Sequence, residues 1–427
     1  MSNVMQETTS KTQVLLLMGA LVLVALALNA RAVTAEEAPA PNFTWEGERL
    51  LSTTSSSGAF RPSLRAAGNG DLIIAYNHNI NSSTRNPYYR LSTDGGESWS
   101  APAPIYNSSS NLRQVTVDFD NNNVAHAAWY SSSGLFHAAQ NQWPSNSNSV
   151  HATTADILDP MMAISSDNVL HLVWAQGDVG SPHNIYHAYS QNGGTTWSSP
   201  VALATNADHS SYPNLDTDSS GNVYVVWEER VLDPELGAFR YELQYKRGSK
   251  VGSAYAWDAS PSIVSGNALK ARRPAVAVKG NTIHFSYAIQ ESNDEQYPYY
   301  RRYSPGSGWS VPRDVSNNTP VSVNTNSPFF LLSSIQVCGN NVYIYYHGSA
   351  ERNANEQIWG ASSTNNWTMV DEVTGSDTRN IRPALVCLGG NLHLGIERVE
   401  QATVNHQIYY NVSNNVNELF LPLLSRG

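Results

Sequence analysis

The chain has 427 residues, only 14% of them charged, and a formal net charge of −10. That length allows one large β domain or two or three average ones. The abundance of Ser, Asn, Thr, Gly and Tyr suits short strands joined by polar turns and argues against a helical bundle. An acidic chain without Lys/Arg runs argues against nucleic-acid binding. Two cysteines, Cys338 and Cys387, are too few for a disulfide-stapled miniprotein and show no zinc-ligand spacing.

The N-terminus reads as an address. Lys11 precedes an apolar run from Val14 to Leu28, and Val33-Thr34-Ala35 offers a small-x-small cleavage site. The run is short for a membrane span, which needs roughly 20 residues. The expectation is a secretory signal over 1–35, a short leader over 36–44, and a secreted or cell-surface protein. An uncleaved N-terminal anchor is the alternative. The last residues, 416–427, form a small apolar tail.

From Trp45 onward the chain repeats. Trp45, Trp99, Trp143, Trp197, Trp257, Trp309 and Trp367 recur about every 50 residues. Between them come, in fixed order, a proline (Pro62, Pro160, Pro213, Pro274, Pro328, Pro383), an apolar run opened by Asn or Asp, and an aromatic-rich strand such as Tyr88-Tyr89 or Tyr409-Tyr410. Each unit supplies four strands, A to D. Such a sheet cannot bury both faces alone; stacking the sheets around an axis does so. The fold class is therefore all-β: a single β-propeller over 45–415 with seven four-stranded blades, six being the alternative. The last unit, Arg382 to Asn411, lacks a closing Trp, and Trp45 has no strands before it. Trp45 to Thr53 is thus predicted to be the outer strand of the last blade, closing the ring.

Ser92-Thr93-Asp94-Gly95-Gly96-Glu97-Ser98-Trp99 fits the pattern S-x-D-x-G-x-x-W. Ser190-Gln191-Asn192-Gly193-Gly194-Thr195-Thr196-Trp197 fits with Asn for Asp. These residues resemble the Asp box of the sialidase-like (BNR-repeat) propellers. The pattern suits a tight turn: Asp or Asn accepts from turn amides, Gly takes positive φ, and Trp packs into the blade. The structural set is Ser92, Asp94, Gly96 and Trp99, with Ser190, Asn192, Gly194 and Trp197.

Two other motifs read as structure. Asp216-Thr217-Asp218-Ser219-Ser220-Gly221 begins like a calcium loop, but Trp227 stands where a bidentate Glu is required, and the stretch falls at an A–B turn. His126, His171, His284 and His393 recur within second strands and read as buried blade histidines. No metal or cofactor is called for.

In this topology the A–B and C–D turns share one end of the ring, leaving the other as the mouth. Residues before the prolines are Arg61, Asp159, Tyr212, Arg273, Ser327 and Arg382, with Arg113 near the same place in the second unit. The family resemblance implies substrate-carboxylate binding by arginines, since the guanidinium forks onto carboxylate oxygens. Phe60-Arg61-Pro62 is similar to the family's arginine entry motif, and Arg273, Arg382 and Arg113 are the further candidates. The resemblance also implies a Tyr nucleophile activated by Glu, for which Tyr212 with Glu228 or Glu229 is the positional match.

Two function classes stay open. One is a sialidase-type glycoside hydrolase acting on acidic sugars. The other is a noncatalytic propeller binding glycan or protein. A lyase acting on uronic-acid polymers is a third option. The expected partner is an acidic glycan and the expected state a monomer. Cys338 and Cys387 fall one residue out of phase near the ends of innermost strands in neighbouring blades. Alternation therefore lets them face each other as a disulfide; two buried thiols are the alternative.

Overall fold

The computed structural model describes residues 43–52, 58–204, 209–235, 237–268, 270–291, 295–317, 331–349, 355–375, 378–400 and 405–415. The expected signal, most of the leader, the C-terminal tail, and Ser327-Pro328 lie outside the described residues. The strands form seven antiparallel sheets of four or five strands. Blade 1 runs from Ala59 to Pro104, blade 2 from Arg113 to Ala152, blade 3 from Asp156 to Ala202 and blade 4 from Ser210 to Ile263. Blade 5 spans Ala271 to Asp314, blade 6 Ser333 to Glu372, and blade 7 Arg379 to Asn415. The fold is a seven-bladed β-propeller.

The chain start completes blade 7. Phe43–Trp45 pairs antiparallel with Asn405–Asn415, Trp45 lying opposite Ser413. Arg49 and Leu50 pair with Tyr410 and Tyr409 on the same strand. The Leu51 and Ser52 amides then donate to the Ile408 carbonyl. The strand that closes the ring therefore comes from the far end of the sequence.

The turns explain the sequence markers. In the blade 1 C–D turn, Ser92 Oγ donates to Asp94 Oδ1 at 2.7 Å and accepts from the Gly96 amide at 2.8 Å. Asp94 Oδ1 also accepts from the Ser98 amide at 2.9 Å. Blade 3 repeats this with Ser190, Asn192, Gly194 and Thr196. Asn123 and Asn168, which open apolar runs, take φ of 60° and 62° at A–B turns, a conformation Asn tolerates. Asp218 Oδ1 accepts from the Ser220 and Asn222 amides, and its Oδ2 accepts from Asn222 Nδ2 and Tyr224 Oη. Its carboxylate is committed to the turn.

Burial takes place between blades. Each of the seven apolar clusters is shared by two neighbouring blades. Trp129, Trp174 and Trp227 on second strands are fully buried, each contributing on the order of 2–3 kcal/mol. The repeating tryptophans reach back to the preceding blade's third strand. Trp99 meets Tyr410 at 5.0 Å between ring centroids, Trp143 meets Tyr89 at 4.7 Å, and Trp197 meets His137 at 5.5 Å. Trp257 meets His187 at 5.0 Å, Trp309 meets Tyr245 at 6.3 Å, and Trp367 meets Tyr300 at 4.9 Å. Blade 6 has Gly360 at this position, where a Cβ would lie 2.5 Å from the Tyr345 ring. Tyr345 fills that space and takes Trp45 at 5.6 Å.

The histidines belong to these junctions. His126 Nδ1 lies 3.0 Å from His137 Nε2, and His171 Nδ1 lies 3.0 Å from His187 Nε2. Blades 5 and 7 use His284–Tyr300 and His393–Tyr410 instead, at 2.8 and 2.6 Å. Burial lowers the His137 and His171 pKa values to about 3, keeping both rings neutral.

Around the axis each first strand has an unpaired edge, and neighbouring side chains satisfy it. Ser63 Oγ accepts from Val117 N, Asp118 Oδ2 from Ile164 N, Asp216 Oδ2 from Val278 N, and Ser334 Oγ from Leu385 N. Cys338 and Cys387 join blades 6 and 7 in a disulfide, with Cα atoms 5.6 Å apart. Closing that loop restricts the unfolded chain by about 4 kcal/mol in the chain-entropy model.

Candidate functional site

The mouth is built by one repeated backbone device. In six first strands the register shifts, between Phe60/Ser63, Arg113/Thr116, Leu158/Met161, Ser211/Asn214, Arg272/Ala275 and Ile381/Ala384. Within each shift one residue takes positive φ: Arg61 at 56°, Gln114 at 45°, Asp159 at 50°, Tyr212 at 51°, Arg273 at 54° and Arg382 at 52°. Bulges re-aim side chains, and left-handed backbone at non-glycine residues costs on the order of 1–3 kcal/mol each. In blade 2 the position belongs to Gln114, so Arg113 stands one residue before it, exposed to solvent.

Second-strand ends hold these bulges across the blade junctions. Glu397 accepts from the Arg61 amide at 2.8 Å, and both its oxygens accept from Arg382 Nη1 at 2.7 Å. His406 Nδ1 adds a contact at 2.6 Å. Burial alone would raise the Glu397 carboxyl, but Arg382, His406 and that amide bring it down to about 2. Glu228 plays the same part between blades 4 and 5. Its Oε1 accepts from Arg272 Nε at 3.0 Å and Nη2 at 2.8 Å, and its Oε2 from the Arg273 amide at 3.2 Å. Glu229 is fully buried, with Oε2 accepting from Ser210 Oγ at 2.7 Å and Trp227 Nε1 at 2.9 Å.

The remaining bulge residues converge. Asp159 Oδ1 lies 3.3 Å from Arg61 Nη1 and accepts from Gln114 Nε2, while the Asp159 amide donates to Gln114 Oε1 at 2.9 Å. The Arg273 guanidinium lies over the Tyr212 ring, 3.2 Å from its centroid. Asp159 and Tyr212 occupy the same bulge position in adjacent blades, so the two groupings stand side by side at the mouth. Burial raises the Tyr212 pKa, with Arg273 opposing, and the phenol stays protonated at neutral pH. Burial also lowers the Arg273 pKa, opposed by Tyr212, Glu228 and Asp159.

The structure thus places Arg61 on Asp159 and Arg273 on Tyr212; Asp159, one of the residues that precede the prolines, is the one to which sequence gives no role. The structure commits Arg382 to Glu397, and Glu228 to Arg272 and the Arg273 backbone. A histidine group also borders the mouth between blades 3 and 4. His183 Nε2 lies 3.4 Å from Asp156 Oδ2, and the His183 amide donates to His209 Nδ1 at 3.1 Å. Burial first, then His183, Arg230 and Arg272, lowers the His209 pKa, leaving it neutral. No repeat marker points to these residues. At the turn end, a groove of about 400 Å³ is lined by Asn69, Thr93, Asp94, Leu388 and His393; the Asp94 carboxylate is committed to its own turn.

No protein-family model matches the sequence, and no curated protein matches it. Solved structures do resemble the fold. An ulvan lyase matches with TM-score 0.59 at 11% identity, over 87% of this chain and 99% of that one. A protein of unknown function from Dyadobacter fermentans DSM 18053 matches with TM-score 0.52 at 10% identity, over 88% of this chain and 100% of that one. A Trypanosoma rangeli sialidase matches with TM-score 0.46 at 11% identity, over 89% of this chain; this chain spans 60% of that one. At such identities the ulvan lyase and the Dyadobacter protein establish the fold alone.

Proposed function

We propose that this propeller binds an acidic carbohydrate in its mouth and cleaves it, with Arg61 and Arg273 holding a sugar carboxylate. The observation that carries this is the convergence of Arg61, Asp159, Tyr212 and Arg273, four side chains on strained bulges of four different blades. Two guanidinium groups suit a planar carboxylate, and Arg113 adds an exposed cation at the blade 2 bulge. The ulvan lyase, solved also with a glucuronate–rhamnose-3-sulfate repeat bound, supports an acidic glycan as the ligand class. The signal expected over 1–35 would deliver the protein to the secreted or surface location where such glycans occur.

The chemistry favoured is proton transfer rather than nucleophilic attack by tyrosine. A Tyr nucleophile needs a carboxylate on its hydroxyl, yet both Glu228 oxygens are committed elsewhere. The Tyr212 hydroxyl bonds to no described residue. A protonated phenol is a proton donor, and the Asp159 carboxylate beside Arg61 is the acceptor. In an elimination, the carboxylate on Arg61 and Arg273 acidifies the adjacent C–H and a base removes that proton. The C–O bond to the next sugar then breaks as the double bond forms, and Tyr212 protonates the departing oxygen.

Incubation with polyuronates, sulfated uronate polymers and sialosides, followed by product analysis, tests this. An unsaturated uronate product that disappears in Tyr212→Phe is expected. Release of free sialic acid would restore the sialidase reading. Binding without any product would leave a noncatalytic propeller, and absence of binding to every acidic glycan would end the proposal.

A further inference from the structure

Blade 4 departs from the others at the mouth. Its second and third strands, Val223–Asp233 and Ala238–Val251, have 11 and 14 residues, and they pair until Asp233 meets Ala238. The ribbon places Arg230 opposite Tyr241 and Leu232 opposite Phe239. Alternation puts these four on one face, the face on which Glu228 meets Arg272. Leu232 and Phe239 are 53% and 48% exposed.

Three guanidinium–aromatic stacks follow one another along this path. Arg273 lies 3.2 Å over Tyr212 in the mouth, Arg272 lies 4.0 Å over Tyr241 at the ribbon's base, and Arg230 lies 4.4 Å over Phe239 toward its tip. Tyr241 and Phe239 are two residues apart, about 7 Å along the strand. We infer that this ribbon is an extended subsite track for a linear acidic polysaccharide, continuing outward from the mouth. The inference rests on the acidic-carbohydrate reading of the mouth and adds that the ligand is a polymer.

The chemistry matches such a chain. Sugar rings present apolar faces that stack on Tyr and Phe, and Arg230 beside Phe239 is the cation for a unit's anion, Arg272 being held by Glu228. A single-stranded nucleic acid would offer stacking faces and anions too. A net charge of −10 repels either polyanion at long range; the reading of the mouth favours the sugar, and titration with both separates the two.

The test compares oligogalacturonides of two and six units, and polyuridylate, by calorimetric titration against wild type and Phe239→Ala. Wild type should bind the longer oligomer about tenfold more tightly than the shorter one, the size of one stacking contact. Phe239→Ala should lose that gain and keep the affinity for the shorter oligomer. Equal length dependence in both proteins overturns the track while leaving the mouth intact. Failure of either oligomer to bind wild type overturns the mouth reading and the track with it. Tighter binding of polyuridylate than of the longer oligomer assigns the ribbon to nucleic acid. A wild-type dimer that becomes monomeric in Phe239→Ala assigns it to self-association.

Discussion

The two ends of the ring treat repetition in opposite ways. Toward the turn end, Trp99, Trp143, Trp197, Trp257, Trp309 and Trp367 each meet Tyr or His on the preceding blade. The backbone there is eased by glycine and asparagine in turns. At the mouth the backbone is equally regular, with six bulges near one φ value, but the side chains are Arg, Gln, Asp, Tyr, Arg and Arg. Regular chemistry on relaxed backbone marks what holds the blades together. Varied chemistry on strained backbone marks what the scaffold presents to a ligand.

That contrast can be broken by substitution, beginning where the effect is greatest. Deleting residues 43–52 removes the outer strand of blade 7, with Trp45 on Tyr345 and Glu48 on Arg398. We expect a loss of more than about 4 kcal/mol in urea unfolding, against little change on deleting 416–427. Equal midpoints for the two truncations would show that the clasp does not close the ring.

Next comes Gly96→Ala. Gly96 sits at φ +98°, and a Cβ there would lie 2.0 Å from the Tyr410 hydroxyl. The expected cost is about 3 kcal/mol in chemical denaturation, in the range of core overpacking. A near-neutral result would mean that the turn and the blade 7 aromatic do not meet as closely as described.

The third prediction concerns acid. The imidazoles of His137 and His171 have pKa values lowered to about 3 in the fold, against an ordinary 6.5 when unfolded. Unfolding takes up protons, so their contribution is full above pH 6.5 and is lost as pH falls toward 3. Glu397, held at about 2 against an ordinary 4.5, contributes fully above pH 4.5 and loses that contribution as pH falls toward 2. His137→Tyr copies the pairing that His393 and Tyr410 make in blade 7. Melting temperature measured against pH should show its acid limb displaced to lower pH. An unmoved limb would exclude His137 as a source of the acid sensitivity.

The smallest effect has the opposite sign. Arg61→Gly relieves a positive-φ residue and loses a half-exposed pair with Asp159 that contributes little. Stability should rise by up to about 1 kcal/mol while carboxylate binding disappears. A clear destabilisation would make Arg61 a structural link between blades.

The same contrast explains what the sequence disclosed. The tryptophan spacing, the Ser92–Trp99 and Ser190–Trp197 turns, the orphan Trp45 and the Cys338–Cys387 phase were legible because one physical contact recurs and leaves a periodic trace. The mouth was legible where proline follows the bulge, as after Arg61, Tyr212 and Arg273. In blade 2, Val115 follows Gln114, so no proline marks the position and the sequence points to Arg113 instead. Glu228 drew attention for its chemistry, but its tie to Arg272 and the Arg273 amide spans two blades and has no local signature. Asp156 opens a strand while His183 and His209 lie in separate loops, and the blade 4 ribbon is an elaboration of a single repeat. Periodicity is silent about both.

In the proposed function the mouth, and not the turn end, receives an acidic sugar. A crystal structure with a bound oligogalacturonide decides between the two ends. The expected result is a carboxylate between the Arg61 and Arg273 guanidinium groups, with Tyr212 beside the glycosidic oxygen. A sugar seated instead in the groove by Asn69, Asp94 and His393, with the mouth left empty, would contradict it.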